Sequence, residues 1–345
     1  MDSHEINISR RILLVGAACM VTAAVLPSHA AEMKTTHLRF LIGSSSGYAE
    51  YSRLFMKHLA RLNPELRTDV ESVAEADGRL AAKRIFESGP DPLEIGMFET
   101  SLLYAALLGE DTSGFDFAKF RWIGKLATDP RLVIVSKGSG IRSLDELRAQ
   151  PEPVVFPTSS ITSRSAVEAL LLNGLLDLRL KPVPGFTGAE RQLALINGEG
   201  QVLAGSYPSL DKLILDEGAV PVLRLNDFEL PGVGKDVPIL RDVAAQPVSP
   251  IVDLIELSGR LSRLIAAPAE INQDELAALQ AVFDGVVADD AFRKEADELG
   301  LPIDTLPGPE VEQLITSLFA RKAEVGADLA TMSACGQKRA EGGTC

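Results

Sequence analysis

The chain has 345 residues, of which 46% are hydrophobic and 24% charged, a globular balance that excludes global disorder and a collagen-like fibre. At roughly 150 residues per domain this length suits about two domains, with cores large enough to fold without a metal or a disulfide. The formal net charge of -14, from 48 Asp+Glu against 34 Lys+Arg, argues against nucleic acid, because counterion release needs clustered cations, yet leaves room for a small anion, since a pocket's field is set by nearby dipoles.

Arg10 and Arg11 precede an uncharged run over 12–26, shorter than the ~20 apolar residues of a membrane span. Pro27 and the small-x-small exit Ser28-His29-Ala30 follow. Residues 1–30 read as a cleaved signal peptide for export. Ser9-Arg10-Arg11-Ile12-Leu13-Leu14 resembles a twin-arginine signal. Cys19 leaves with the leader, so Cys335 and Cys345 remain in an oxidising compartment. They either form a tail disulfide or stand as two thiols on a frayed end. With Gly336, Gly342 and Gly343 among them, residues 331–345 read as a flexible tail.

After the leader, β-branched apolar runs alternate with helical patterns, which predicts α/β architecture. A strand over 38–42 runs through a Ser/Gly turn into a helix whose Tyr51, Leu54, Phe55, His58, Leu59 and Leu62 fall at helical spacing. Strands follow near 68–73 and 93–98, with helices over 78–87 and 101–108. Residues 122–126 and 132–136 read as strands, the second crossing to another lobe. Ser143 and Glu146 form a capping box. A second strand-turn-helix unit covers 154–172, with Ser165 and Glu168 offering another box. Further strands are expected over 180–183, 202–206 and 220–225. A helix over 189–196 stops at the C-cap signal Asn197-Gly198. A strand over 261–267 returns to the first lobe, and helices cover 273–287, 290–299 and 309–320. The layout is a first lobe of residues 34–136 plus 256–330, and a second lobe of 137–255.

Signatures of catalysis are absent from the sequence. Histidines and cysteines show no metal-ligand spacing, and there is no nucleophile elbow, Walker loop or dinucleotide fingerprint. No cofactor and no metal are expected. Ser209 and Lys212 spell S-x-x-K without its companion motifs. The positive signal is the pair of strand-(Ser/Thr/Gly)-helix units. Loops after strand C-termini face the ligand crevice of an α/β lobe, and the next helix presents free N–H groups and its positive end there. Hydroxyls add donors without fixed charge, which suits a carboxylate. The candidate ligand-binding residues are Ser44, Ser45, Ser46, Gly47 and Tyr48 in the first loop and Thr158, Ser159, Ser160, Thr162 and Ser163 in the second. Phe186, Thr187 and Gly188 form a third loop, and Thr100 completes the set.

The chain resembles the periplasmic substrate receptors of tripartite tricarboxylate transporters, the Bug family, in order from about Leu38 to Ile315. The resemblance is carried by Lys137-Gly138-Ser139-Gly140-Ile141-Arg142-Ser143-Leu144-Asp145-Glu146-Leu147, by Pro184-Gly185-Phe186-Thr187-Gly188 and by Leu195-Ile196-Asn197-Gly198-Glu199. Lys235-Asp236-Val237-Pro238-Ile239 and Ala267-Pro268-Ala269, followed by Asp289, Asp290 and Gly300, continue it. The sequence departs from the family where an Asp of the first loop falls on Ala49 or Glu50, where a Gly-rich segment is replaced by Glu75-Ala76-Asp77-Gly78, and where the Lys of the third loop is Thr187. The resemblance implies a two-lobed, type II periplasmic-binding-protein-like fold, with mixed sheets flanked by helices and a ligand cleft between the lobes. It implies a monomeric, non-enzymatic periplasmic receptor for a small carboxylate-bearing metabolite, delivered to integral-membrane permease subunits. Two other readings stand beside it: an adaptor presenting ligand to a sensor-kinase ectodomain, and an exported hydrolase using Ser209 and Lys212.

Overall fold

The computed structural model describes residues 33–44, 47–110, 114–247 and 249–345. The expected leader, and with it the export route, lies outside these residues, as do Ser45 and Ser46. In chain order, β1 (His37–Gly43) leads to α1 (Tyr48–Leu62), β2 (Arg67–Ser72), α2 (Arg79–Phe86), β3 (Leu93–Phe98) and α3 (Ser101–Leu108). β4 (Arg121–Lys125) and β5 (Arg131–Val135) precede α4 (Leu144–Arg148), β6 (Val154–Pro157), α5 (Arg164–Leu176), β7 (Leu180–Val183) and α6 (Gly188–Asn197). β8 (Val202–Ser206), α7 (Tyr207–Leu215), β9 (Val220–Arg224), α8 (Leu240–Val243) and α9 (Pro250–Arg260) follow. The chain ends with β10 (Leu264–Ala267), α10 (Gln273–Ala288), α11 (Asp290–Glu298), β11 (Leu306–Pro307), α12 (Gly308–Ala320) and α13 (Lys322–Ala340).

Among the described residues the strands form a six-stranded sheet of order β11-β4-β10-β3-β1-β2, a three-stranded sheet β8-β5-β9 and the pair β6-β7. β1 is parallel to β2 and β3, while β10 runs antiparallel between β3 and β4. The six-stranded sheet is therefore mixed, and one of its inner strands comes from late in the chain. β4 belongs to this sheet and its successor β5 to the other, so residues 126–130 cross between lobes. The chain crosses back through α9 into β10. The apolar stripe of α1 is buried with β1 and β3 against α10 and α11. Asn63 ends α1, its backbone and side-chain N–H groups both donating to the Leu59 carbonyl.

Local chemistry differs from expectation at several points. Ser143 Oγ accepts from Glu146 N, but Glu146 returns to Arg142 N, not to its cap residue. α5 is capped by Ser163, whose Oγ accepts from Ala166 N; Ser165 and Glu168 are drawn instead into a buried polar network and cap nothing. α7 and α9 fill stretches where no helix is expected, and each starts with proline in its first turn. The return strand begins only at Leu264, because Leu261 N still closes α9 on the Leu257 carbonyl.

The tail needs a larger correction. Residues 331–340 are the second half of α13, with Val325, Leu329, Gly336 and Ala340 buried, and residues 331–345 are not a free tail. α13 lies on α5 and α3 because its glycines allow backbone contact. A Cβ on Gly336 would sit 1.8 Å from the Leu170 carbonyl oxygen, and one on Gly326 would sit 2.4 Å from that of Leu107. Cys335 and Cys345 are joined by a disulfide, with Cα atoms 5.2 Å apart. Gly336→Ala is expected to destabilise the protein by roughly 2–3 kcal/mol, despite alanine's better helix propensity, because the helix must lift off α5. Urea unfolding measures this; a neutral or stabilising change would refute the close contact.

Candidate functional site

The C-terminal ends of β1 and β3 on one lobe, and of β6, β7 and β8 on the other, open into one cleft of about 710 Å³. Strand ends are where an α/β sheet exposes backbone and helix N-termini together, and the volume lies in the range of small-molecule sites. Ser44 and Tyr48 line it from the first lobe, and Ser159, Ser160, Ser163, Phe186, Thr187 and Gly188 from the second. Gly47, Thr100, Thr158 and Thr162 are not on its lining.

Most of the hydroxyls are already engaged. The Ser44 hydroxyl donates to Glu99 Oε1. Tyr48 Oη and Thr100 Oγ1 are hydrogen-bonded at 2.9 Å below the wall. Thr158 is fully buried, its Oγ1 bonded to Ser163 Oγ at 2.6 Å. Thr187 builds a capping box on α6, accepting from Glu190 N while Glu190 Oε2 accepts from Thr187 N. Ser160 and Thr162 donate to Asp77 Oδ2 at 2.6 and 2.9 Å. These last two bonds cross the cleft mouth from one lobe to the other. The second loop is thus chiefly a turn, a helix cap and a clasp. Its backbone also holds the third loop, Gly185 N and Phe186 N donating to the carbonyls of Ser159 and Thr158.

Asp77 reaches the clasp through an unusual loop. Ala76, Asp77 and Gly78 have φ of 51°, 54° and 82°. Left-handed backbone at two non-glycine residues is strained, and Gly78 admits no side chain, since a Cβ would lie 2.3 Å from the Gly43 carbonyl oxygen.

The charged floor of the cleft is what sequence reasoning missed. Asp129, Arg131, Arg164 and Arg263 line it, and all four are buried. Asp129 Oδ2 lies 3.0 Å from Arg164 Nη1 and 3.4 Å from Arg131 Nη1, while its Oδ1 accepts from Ser206 Oγ at 2.5 Å and lies 3.4 Å from Arg263 Nη2. Fully buried Glu168 accepts from Arg131 Nε at 2.9 Å and Nη2 at 2.5 Å, and from Arg164 Nε at 2.9 Å. Burial alone would raise the Asp129 carboxyl, but Arg263, Arg164, Arg131 and Ser206 bring it down to about 2. Burial likewise opposes the charge on Arg263, which Asp129 together with Tyr48, Tyr51 and Glu99 more than restores.

Three guanidiniums here share two carboxylates, so among the described residues the network carries excess positive charge. Arg263 is stacked 4.1 Å over the Tyr48 ring, and its Nε and Nη1 are buried without a hydrogen-bond partner among the described residues. Arg263 itself holds φ of 54°. Ser101 Oγ, on the cleft lining at the start of α3, is likewise unpartnered. Arg191 of α6 also lines the cleft, its Nη1 donating to Ser165 Oγ at 3.4 Å while its Nε has no partner among the described residues. Burial and the charge of Arg131 hold the Arg191 guanidinium below its ordinary value. Buried donors without acceptors are costly; an anionic ligand would supply acceptors for them. The donors of this cleft are therefore chiefly guanidiniums, where the sequence suggested uncharged hydroxyls. The readable signal was the arginines embedded in apolar runs, Arg131 before Leu132 and Arg263 before Leu264, since arginine is seldom buried unless paired.

The hydrolase pair is not assembled. Ser209 lines the cleft and Lys212 is exposed on α7, with no hydrogen bond between them among the described residues.

Two α/β lobes, crossed twice by the chain and flanking a cleft at their strand ends, define a periplasmic-binding-protein fold. The particular version is that of the Bug- and TctC-type periplasmic binding proteins. The structure of the periplasmic binding protein BugD is similar with a TM-score of 0.64 at 14% identity, over 88% of this chain and 97% of that one. MatC from Rhodopseudomonas palustris with bound malate gives 0.64 at 20% identity, over 85% and 98%. Rpa4515 from R. palustris with adipate gives 0.64 at 15% identity, over 87% and 99%. No protein-family model and no curated protein sequence matches the chain.

Proposed function

We propose that this chain is a periplasmic solute-binding receptor that closes its two lobes on a small carboxylate-bearing metabolite and delivers it to the integral-membrane permease subunits of a tripartite tricarboxylate-type transporter. The observation that carries the reading is the set of unpartnered buried donors, Arg263 Nε and Nη1, Arg191 Nε and Ser101 Oγ, on one cleft between lobes. Desolvated donors of this kind cost stability unless an acceptor arrives, so the cleft is preorganised for an anion. The fold supports the reading, because MatC and Rpa4515 hold malate and adipate. The joined Cys335 and Cys345 agree with an exported location. Among the described residues no helix is long and apolar enough to cross a membrane and no group of metal-ligating side chains is assembled.

Isothermal titration of the purified protein with a panel of di- and tricarboxylates and aromatic acids tests the reading. At least one acid is expected to bind with a Kd below about 10 μM, equivalent to roughly -7 kcal/mol. Silence across the panel would overturn a carboxylate ligand.

A further inference from the structure

The charges that line the cleft are unevenly matched across it. On the second lobe, Arg191 has no carboxylate within ion-pair distance among the described residues, whereas Arg131 and Arg164 each have two and Arg263 has one. On the first lobe, Glu99 follows β3 and lines the same cleft, half-buried. Its Oε1 accepts the Ser44 hydroxyl, and among the described residues no ion pair engages it. Glu99 interacts electrostatically with Arg191 and with Arg263, yet forms an ion pair with neither among the described residues.

A ligand that is only an acid would gain at Arg191 and be repelled at Glu99. A carboxylate in a site for anions is a penalty unless the ligand itself brings a donor or a positive charge to it. An acid that also carries such a group satisfies both walls at once, and it links the lobes because Glu99 and Arg191 stand on different ones. We infer that the ligand is an acid bearing an ammonium or hydroxyl donor, its acidic group held by Arg191 and its donor by Glu99. The inference rests on the receptor reading above and narrows it, making Glu99 the residue that rejects acids without a donor.

The test is titration calorimetry with two matched series on the intact protein. Succinate, malate and aspartate share one skeleton and differ only in hydrogen, hydroxyl or ammonium; adipate, 2-hydroxyadipate and 2-aminoadipate repeat the comparison at greater length. In at least one series a donor-bearing acid is expected to bind about tenfold or more tightly than its parent. Preference for the amino acid assigns an ammonium to Glu99, and preference for the hydroxy acid assigns a hydroxyl. Glu99→Gln should shrink the preference to about threefold or less, and Arg191→Gln should weaken every member by about tenfold. Parent acids that bind as well as their donor-bearing partners would overturn the inference and leave the receptor reading standing. That comparison uses only the wild-type protein, so it holds even if a variant folds poorly. A preference unchanged in folded Glu99→Gln, or affinities unchanged in folded Arg191→Gln, would overturn the corresponding assignment. Failure of every acid, in these series and in the wider panel, would overturn both readings.

Discussion

Asp129→Asn is expected to destabilise the protein by about 3–5 kcal/mol, the cost of breaking a buried ion pair from one side. Asp129 is the carboxylate that Arg131, Arg164 and Arg263 share, and its loss leaves three buried guanidiniums against Glu168 alone. Urea unfolding at neutral pH gives the value. The same residue sets an acid limb. Its folded-state value is depressed from the ordinary 3.8 to about 2, so its contribution is fully present above about pH 4 and fades as the pH falls through about 2. Melting temperature against pH should show this loss in the wild type and a flatter limb in Asp129→Asn. An asparagine variant as stable as the wild type, with the same acid limb, would show that the arginines do not depend on this carboxylate. Because the network carries excess positive charge, a bound anion should raise the melting temperature of the variant as well.

Asp77→Ala should raise the ligand dissociation rate by about tenfold, worth roughly 1.4 kcal/mol. Asp77 of the first lobe accepts hydrogen bonds from Ser160 and Thr162 of the second, across the cleft mouth. Bonds to a charged acceptor are worth roughly 1.5–3 kcal/mol each when protected, and less at a wet rim. Association should change little, since the clasp forms only as the lobes meet. Stopped-flow measurement with any acid that binds by calorimetry checks this, and Asp77→Asn, which keeps an acceptor oxygen, should recover part of the loss. Equal dissociation rates for wild type and Asp77→Ala would remove the clasp from the account of closure. The left-handed backbone at Ala76 and Asp77 fits this role, because strain is kept where surrounding contacts over-determine it.

Much of the fold was legible because local periodicity is a local property. The expected strand over 93–98 and helix over 101–108 match β3 and α3 to the residue, since a bounded apolar run and its following helix need no distant partner to be recognised. The end of α6 at Gly198, with φ of 78°, was likewise written in Asn197-Gly198. The tail was misread for the same reason. Its glycines signal freedom when taken alone, but Gly336 lies on α13 at the point where the helix backbone meets α5, as Gly326 earlier in the same helix meets α3.

The candidate site divides along the same line. The sequence by itself determined the α/β alternation and the polar loops at the strand ends. It also determined the small-residue composition that lets those loops turn tightly and cap helices, because these follow from backbone sterics and nearest-neighbour hydrogen bonds. Only the tertiary structure decided which hydroxyls would be consumed and which charges would meet. Asp129, Glu168, Arg191 and Arg263 are far apart along the chain, and no one of their segments shows that they meet. They become a site because two crossings of the chain bring strand ends from both lobes to one cleft, where exclusion of water makes every unpaired guanidinium count.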